Sequence, residues 1–242
     1  MAQAEVDLGG RAVKTSEDGA ARRAEVRPRT PGAAKPRPLP WLVPAVLTGA
    51  LVPLPLMALR AARGTLGANP ITEALNQLGL LALILLIASL ACTPLKILFG
   101  WTWPIRIRKT LGLCGFVYAA IHVLTYSVLD QALAWGAILE DILERNFIAV
   151  GLIAFLLLVP LAVTSTSGML KRLGFARWKR LHRLAYVAAG LGVVHFFWRV
   201  KKDLSEPLTY GAILGALLAV RLLDYVRTRA APARKGQRER AG

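Results

Sequence analysis

The stretch KRLHRLAYVAAGLGVVHFFW, residues 179–198, places two histidines, His182 and His195, in an otherwise apolar run. The chain contains only three histidines, and the third, His122, lies in another apolar run. An ionisable side chain is costly to bury in hydrocarbon, and the few found there usually serve a function. The three histidines are therefore the first candidates for functional residues.

The apolar residues of the chain collect in long blocks. The protein has 242 residues, 55% of them hydrophobic, and the blocks are about 20 residues long, which is the length of a helix that crosses a bilayer. They are too long for the strands of a membrane barrel and lack the period-two alternation of such strands. The sequence predicts an all-α, polytopic membrane protein.

Six transmembrane helices can be drawn on these blocks. Pro44, Pro53 and Pro55 predict a kinked first span, because proline interrupts helical hydrogen bonding. The second span is expected to end at the TPLK sequence, residues 93–96. The expected spans are residues 41–59, 74–92, 109–129, 147–163, 181–200 and 208–223.

The two ends of the chain differ in composition from the blocks between them. Residues 1–40 are polar, charged and rich in Pro and Gly, and they lack the apolar core of a secretory signal. We expect them to form a disordered cytoplasmic tail. Residues 41–226 would form the six-helix transmembrane domain, and residues 227–242 a basic cytoplasmic tail.

The formal charge of +17 reflects membrane topology rather than nucleic-acid binding. The cations lie in short segments between the apolar blocks, and 25 of the 31 Lys and Arg residues fall on one side of the six predicted spans. Positive residues concentrate on the cytoplasmic side of membrane proteins and contact anionic lipids there. Both termini are therefore expected to be cytoplasmic, and in a bacterium the opposite side would be the periplasm.

His122 and His195 are expected at the same depth in the membrane. Each lies 13 residues after the cytoplasmic start of its span, near Lys109 and His182 respectively, and 13 residues rise about 20 Å along a helix. Two imidazoles at one level on neighbouring helices can take both axial positions of a haem iron. The pair is predicted to ligate one haem that serves electron transfer.

His182 would mark a second level at the inner face. It is either a ligand of a second haem or a boundary residue among the headgroups. Its spacing of 13 residues from His195 leaves the two side chains about 140° apart on a continuous helix. Cys92 and Cys114 form no cluster with the histidines, so we interpret them as small buried residues.

Three segments together resemble the MsrQ family, formerly YedZ. They are ASLACTPLKILFGW (residues 88–101), RIRKTLGLCGFVYAAIHVLTYSVLD (residues 106–130) and VTSTSGMLKRLGFARWKRLHRLAYVAAGLGVVHFFW (residues 163–198). The likeness covers residues 42–227. Members of this family are haem-binding membrane subunits of the bacterial MsrPQ methionine sulfoxide reductase system, within the ferric-reductase-like transmembrane group.

The resemblance implies a six-span haem b protein of the inner membrane. Such a protein would take electrons from quinol, through FMN in one variant of the scheme, and pass them to a periplasmic molybdopterin partner, MsrP. It would be the electron-transfer subunit and not the catalytic one, and it would hold one or two haems. The family's haem histidines fall on His122, His182 and His195. Arg108 stands where the wider group has a fourth histidine, which leaves the inner haem without an obvious second ligand.

Arg108 and Arg180 belong to a basic cluster at the predicted inner face. One interpretation is that they only mark the cytoplasmic side of the membrane, where they contact anionic lipids. The other is that they bind haem propionates or a flavin phosphate, since arginine pairs bidentately with such groups. Two other functions stay open. One is a different ferric-reductase-like haem b conduit. The other is a transporter with a histidine relay, although the predicted spans have almost no carboxylates away from their ends.

Overall fold

A computed structural model describes the backbone of residues 39–200 and 203–240, and the side chains as far as residue 229. Every regular element in this part of the chain is helical, as expected for an all-α protein. The α-helices are α1 (Leu42–Leu51), α2 (Pro53–Ala62), α3 (Pro70–Phe99), α4 (Trp103–Thr125), α5 (Trp135–Glu144), α6 (Asn146–Val163), α7 (Ser167–Leu173), α8 (Phe175–Leu181), α9 (Leu184–Arg199) and α10 (Ser205–Arg240). A π-helical turn, Tyr126–Asp130, extends α4.

Five helical segments are long and apolar enough to cross a membrane, and they are Leu42–Ala62, Pro70–Phe99, Trp103–Asp130, Asn146–Val163 and Ser205–Arg229. The helix α9 has only 16 residues, or about 24 Å. The number of six spans is therefore approximate. Large apolar side chains such as Leu124, Leu156 and Leu222 are exposed, as expected for a surface that faces lipid. The protein is a multi-pass membrane protein.

The first span divides at Val52 into α1 and α2. Pro53 begins α2 and has no N–H to offer the preceding turn, in agreement with the expected kink. Tyr118 is fully buried on α4 and donates its hydroxyl to the carbonyl of Ala50 at 2.8 Å. This hydrogen bond fastens the first span to the bundle.

The predicted end of the second span at TPLK is wrong. The helix α3 continues through Pro94 to Phe99 and stops at Gly100, whose φ of 70° suits glycine. Pro94 cannot donate to the carbonyl of Leu90, and the guanidinium Nη2 of Arg221 on α10 donates to it instead at 2.6 Å. A side chain from another helix therefore satisfies the carbonyl that proline leaves free.

The helices α3 and α4 lie closely side by side. A Cβ atom at Gly115 would lie 3.3 Å from the Ala82 carbonyl oxygen, so this glycine allows the close approach. The hydroxyl of Ser89 donates to the carbonyl of Arg108 at 2.8 Å. Elsewhere α9 packs against α6, and α3, α9 and α10 meet at a cluster of Leu90, Ala189 and Leu214.

Several elements differ from the sequence-based expectation. The short helices α5, α7 and α8 lie between the expected third, fourth and fifth spans, apart from Leu181, and the span pattern does not predict them. The helix α9 begins at Leu184, so His182 lies in the turn before it. The helix α10 continues past the boundary expected at residue 227. The predicted tail, residues 1–40, lies almost wholly outside the described residues.

Candidate functional site

The structure brings His122 and His195 together. His122 lies near the end of α4 and His195 near the end of α9, and their ring centroids are 6.2 Å apart with the planes at 86°. They are 73 residues apart in the chain, so only the bundle places them side by side. Equal rises along their helices predict one level for these two side chains, and in the structure their rings lie side by side.

Both imidazoles use the same nitrogen for a hydrogen bond to the main chain. Nδ1 of His122 lies 3.0 Å from the carbonyl oxygen of Leu75 on α3, and Nδ1 of His195 lies 2.7 Å from that of Phe147 on α6. A carbonyl can only accept, so Nδ1 carries the proton in each ring. In a neutral imidazole Nε2 then keeps the lone pair that binds a metal.

The spacing of the rings suits two axial ligands of one iron. Imidazole nitrogen binds metal ions at about 2 Å, so an iron between two Nε2 atoms separates the ring centroids by roughly 6 Å. The observed 6.2 Å matches this requirement. The donor set, two neutral imidazoles with fixed tautomers, is also the one that haem iron accepts.

Arg199 lies beside this pair, a position that the sequence does not predict. It follows His195 by one turn of α9, and its Nη1 bonds to the side-chain oxygen of Asn76 on α3. Its Nε is buried without a hydrogen-bond partner among the described residues. From the sequence alone, Arg199 is one of the six cations on the less basic side of the predicted spans, at the end of the fifth span. No local pattern in the sequence indicates its contact with Asn76, 123 residues away.

His182 lies apart from the pair, in the turn between α8 and α9. Its Nδ1 lies 3.1 Å from the carbonyl oxygen of Trp178, and its ring stacks on the Trp178 indole with 3.9 Å between centroids. Its Nε2 is buried and makes no hydrogen bond within the described chain. The angle of 140° expected between His182 and His195 does not arise, because no continuous helix joins them.

Arginines surround the same end of the bundle as His182. Arg108 is half-buried, and its Nη1 lies 3.4 Å from the Thr93 hydroxyl. Arg221 donates to the Tyr186 hydroxyl and covers the ring of that residue, with 5.0 Å from Cζ to the centroid. Its Nε is buried and unpaired in the described part of the protein. Arg180, by contrast, is exposed on α8.

Other metal chemistry finds no support in residues 39–200 and 203–229. No group of three or more His, Cys, Asp or Glu side chains could hold an ion there. Cys92 and Cys114 are buried and unpaired as free thiols, and the Cys92 thiol donates to the Ala88 carbonyl in its own helix. Both cysteines therefore act as small core residues.

Comparison with known proteins places the chain in a family. Residues 78–193 match the family described as the ferric reductase like transmembrane component. A protein of Rhodospirillum rubrum is 55% identical over 185 residues, which are 76% of this chain and 89% of that protein. One of Deinococcus radiodurans is 50% identical over 190 residues, 78% of this chain and 94% of its own length. One of Caulobacter vibrioides is 44% identical over 176 residues, which are 73% of this chain and 84% of that protein.

All three relatives carry the name protein-methionine-sulfoxide reductase heme-binding subunit MsrQ. The identity is well above the level at which a fold is shared, and it extends over most of each chain. The matched ferric-reductase region runs from α3 into α9 and contains His122 and His182, and it ends just before His195. The chain belongs to the MsrQ family.

Proposed function

We propose that this protein is the haem b subunit that carries electrons across the bacterial inner membrane for methionine sulfoxide repair. Electrons would enter from quinol at the cytoplasmic half, with FMN as an intermediate carrier, and leave to a periplasmic molybdopterin reductase of the MsrP type. The observation that carries this proposal is the pair His122 on α4 and His195 on α9. Their rings lie side by side, and because each Nδ1 bonds to a carbonyl, each Nε2 can bind a metal. The names of the relatives support it.

His122 and His195 would hold the outer haem, and Arg199 would bind one of its propionates with the donors that Asn76 leaves free. When bound, the haem supplies a one-electron redox centre. Two histidine ligands leave no open axial position, which favours electron transfer over oxygen chemistry. The carbonyls of Leu75 and Phe147 fix each ring in the ligating tautomer.

At the inner end, His182 would hold a second haem through its buried Nε2. Arg108 and Arg221 would balance the negative charge of propionates or of a flavin phosphate, since half-buried arginines inside a membrane domain usually have an anionic partner. Arg180 keeps only a surface role in this proposal, because its side chain is exposed. His195 lies about 17 Å along α9 from its first residue, Leu184, and His182 lies in the turn before that residue.

A related function rests on the ferric-reductase-like match of residues 78–193. The same haem arrangement would then deliver electrons to another acceptor, such as iron or oxygen. The identity of the acceptor separates the two functions, because the haem site is the same in both. Quinol oxidation that depends on a periplasmic methionine sulfoxide reductase supports the first and excludes the second.

The test begins with the full-length chain in detergent. We expect a reduced-minus-oxidised spectrum of b-type haem and a low-spin electron paramagnetic resonance signal of bis-imidazole iron. His122→Gln and His195→Gln should each abolish that signal. Tyr126→Phe, close to His122 in sequence, serves as the matched control and should keep it. An intact bis-imidazole signal in either histidine variant contradicts the proposed ligand pair.

The partner is tested separately in proteoliposomes. The chain, a quinol and a purified molybdopterin reductase should together reduce a protein-bound methionine sulfoxide. Omission of the chain or the His122→Gln substitution should stop the turnover. Turnover that continues without the chain shows that the electrons reach the reductase by another route.

A further inference from the structure

The two histidines of the pair contact their neighbouring helices in the same way. His122 bonds to the carbonyl of Leu75, and Gly79 follows Leu75 by four residues on α3. His195 bonds to the carbonyl of Phe147, and Gly151 follows Phe147 by four residues on α6. We call each set a carbonyl–glycine pair. It recurs on two helices that share no sequence around it.

In both pairs the imidazole occupies the place of the missing side chain. A Cβ atom at Gly151 would lie 2.6 Å from Nδ1 and 2.8 Å from Cε1 of His195. A Cβ atom at Gly79 would lie 3.2 Å from Cε1 and 3.3 Å from Nδ1 of His122. No other glycine in the described residues has a histidine ring this close to its Cβ position. Any other residue at Gly151 would require the His195 ring to move.

The spacing of four residues has a physical reason. In an α-helix the carbonyl of one residue faces the amide of the residue four positions later. The side chain of that later residue leans back toward the N-terminus and covers the same carbonyl. Glycine uncovers it, so a donor from a neighbouring helix can reach its second lone pair. The carbonyls of Leu75 and Phe147 are therefore accessible to the imidazoles because the residues four positions later, Gly79 and Gly151, have no side chain.

We propose that Gly79 and Gly151 are positioning residues for the axial ligand pair: they open the carbonyls of Leu75 and Phe147 to Nδ1 of His122 and His195 and so set the tautomer and the orientation of both rings. This inference rests on the proposed haem function. The two glycines contact the ligands and not the iron. Gly151 has the tighter contact and is expected to matter more.

The experiment compares four glycine-to-alanine variants of the full-length haem protein. Gly151→Ala and Gly79→Ala change the carbonyl–glycine pairs. Gly115→Ala crowds the α3 main chain at 3.3 Å without a histidine nearby, and Gly190→Ala on α9 has no atom within 4 Å of its new Cβ. Readouts are the haem-to-protein ratio, the g values of the low-spin signal, the midpoint potential and the thermal stability in detergent.

Gly151→Ala should weaken retention of the outer haem roughly 10-fold or more, the usual effect of losing a partner that orients a metal ligand. Any haem that remains should show altered g values and a raised midpoint potential, because His195 loses its Nδ1 hydrogen bond and becomes a weaker donor. Gly79→Ala should keep the haem with shifted g values. Gly190→Ala should match the wild type in all four readouts, and Gly115→Ala should change only stability.

Wild-type g values and potential in a folded Gly151→Ala protein overturn the inference. If that variant does not fold, Gly79→Ala decides, since its contact needs only a few tenths of an ångström of movement: shifted g values support the inference and unchanged ones overturn it. Altered g values in Gly115→Ala equal to those of Gly79→Ala also overturn it. A wild-type protein without bis-imidazole haem contradicts the proposed function itself, which is a distinguishable result.

Discussion

Arg221 on α10 donates a hydrogen bond from Nη2 to the main-chain carbonyl of Leu90 on α3, at 2.6 Å. Pro94, four residues after Leu90, has no N–H with which to occupy that carbonyl. The arginine on one helix thus supplies the hydrogen bond that the proline on the other helix cannot make. Because Leu90 is buried, its carbonyl would otherwise be left without a donor, which is costly inside a membrane domain.

We expect Arg221→Met to destabilise the protein by about 1–3 kcal/mol, the usual cost of leaving a buried acceptor without a donor. The same substitution should cost less in a Pro94→Ala background, where the amide of residue 94 can donate to Leu90. Unfolding in a denaturing detergent measures all four proteins of the double-mutant cycle. Strictly additive effects would show that Pro94 and Arg221 are not coupled.

Arg199 is expected to tune the outer haem by charge. Replacing it with glutamine should lower the midpoint potential by tens of millivolts, equivalent to about 1 kcal/mol at an effective dielectric constant near 20, because a nearby cation favours the reduced iron. Arg180→Gln is the matched control, since that arginine is exposed. Potentiometric titration gives both values. Equal shifts in the two variants would exclude a local role for Arg199.

The Trp178 indole is expected to orient His182. It stacks on the imidazole at 3.9 Å and is itself held by a hydrogen bond from Nε1 to the Thr164 carbonyl at 3.0 Å. Trp178→Leu should therefore reduce retention of the inner haem roughly 10-fold and leave the signal of the outer pair intact. Haem counting together with magnetic resonance separates the two sites.

The exposed Phe175 provides the control for this experiment, because it also stacks on Trp178, with 6.3 Å between ring centroids. Phe175→Leu should leave the haem count unchanged. His182→Gln should remove the same species as Trp178→Leu. Loss of the outer signal in Trp178→Leu would show that the two sites are not independent.

Asp141 joins α5 to the end of the third span. Its carboxylate accepts hydrogen bonds from Tyr126 at 2.9 Å and Gln131 at 3.1 Å, and it forms an ion pair with Arg145 at 3.1 Å. Asp141→Ala should destabilise this connection by about 1–2 kcal/mol. Hydrogen exchange in residues 131–145 should rise, while the exposed Glu140→Ala should leave it unchanged. Unchanged exchange in Asp141→Ala would show that α5 is held by apolar contacts such as those of Ile138.

The sequence predicts the membrane class and the common level of His122 and His195 because both depend on the geometry of a single helix. The rise of a helix is the same in every context, so two equal spacings from the basic ends of their spans predict one level for His122 and His195. In the bundle α4 packs mainly against α3 and α9 mainly against α6, and the two imidazoles meet between these pairs of helices. Hydrophobic block length is equally independent of the partners that a helix meets.

The features that were missed depend on contacts between distant segments. Pro94 ended the predicted second span, because nothing local shows that Arg221, 127 residues later, satisfies Leu90. Arg199 lies at the end of the expected fifth span, and nothing local in the sequence shows that its guanidinium meets Asn76 on α3. The turn at His182 interrupts an apolar run without proline, so the run was interpreted as one helix. The carbonyl–glycine pairs are visible in sequence only once the facing helix is known.

The 16 residues of α9 have a consequence for the surrounding lipid. A bilayer with a hydrocarbon core of about 30 Å is thicker than this helix is long, and such hydrophobic mismatch is relieved when the bilayer thins locally or flanking residues reach toward the headgroups. Val187, Val194 and Trp198 are exposed on α9 and would meet the acyl chains. If these histidines carry electrons as proposed, the rate of electron transfer should therefore depend on acyl-chain length.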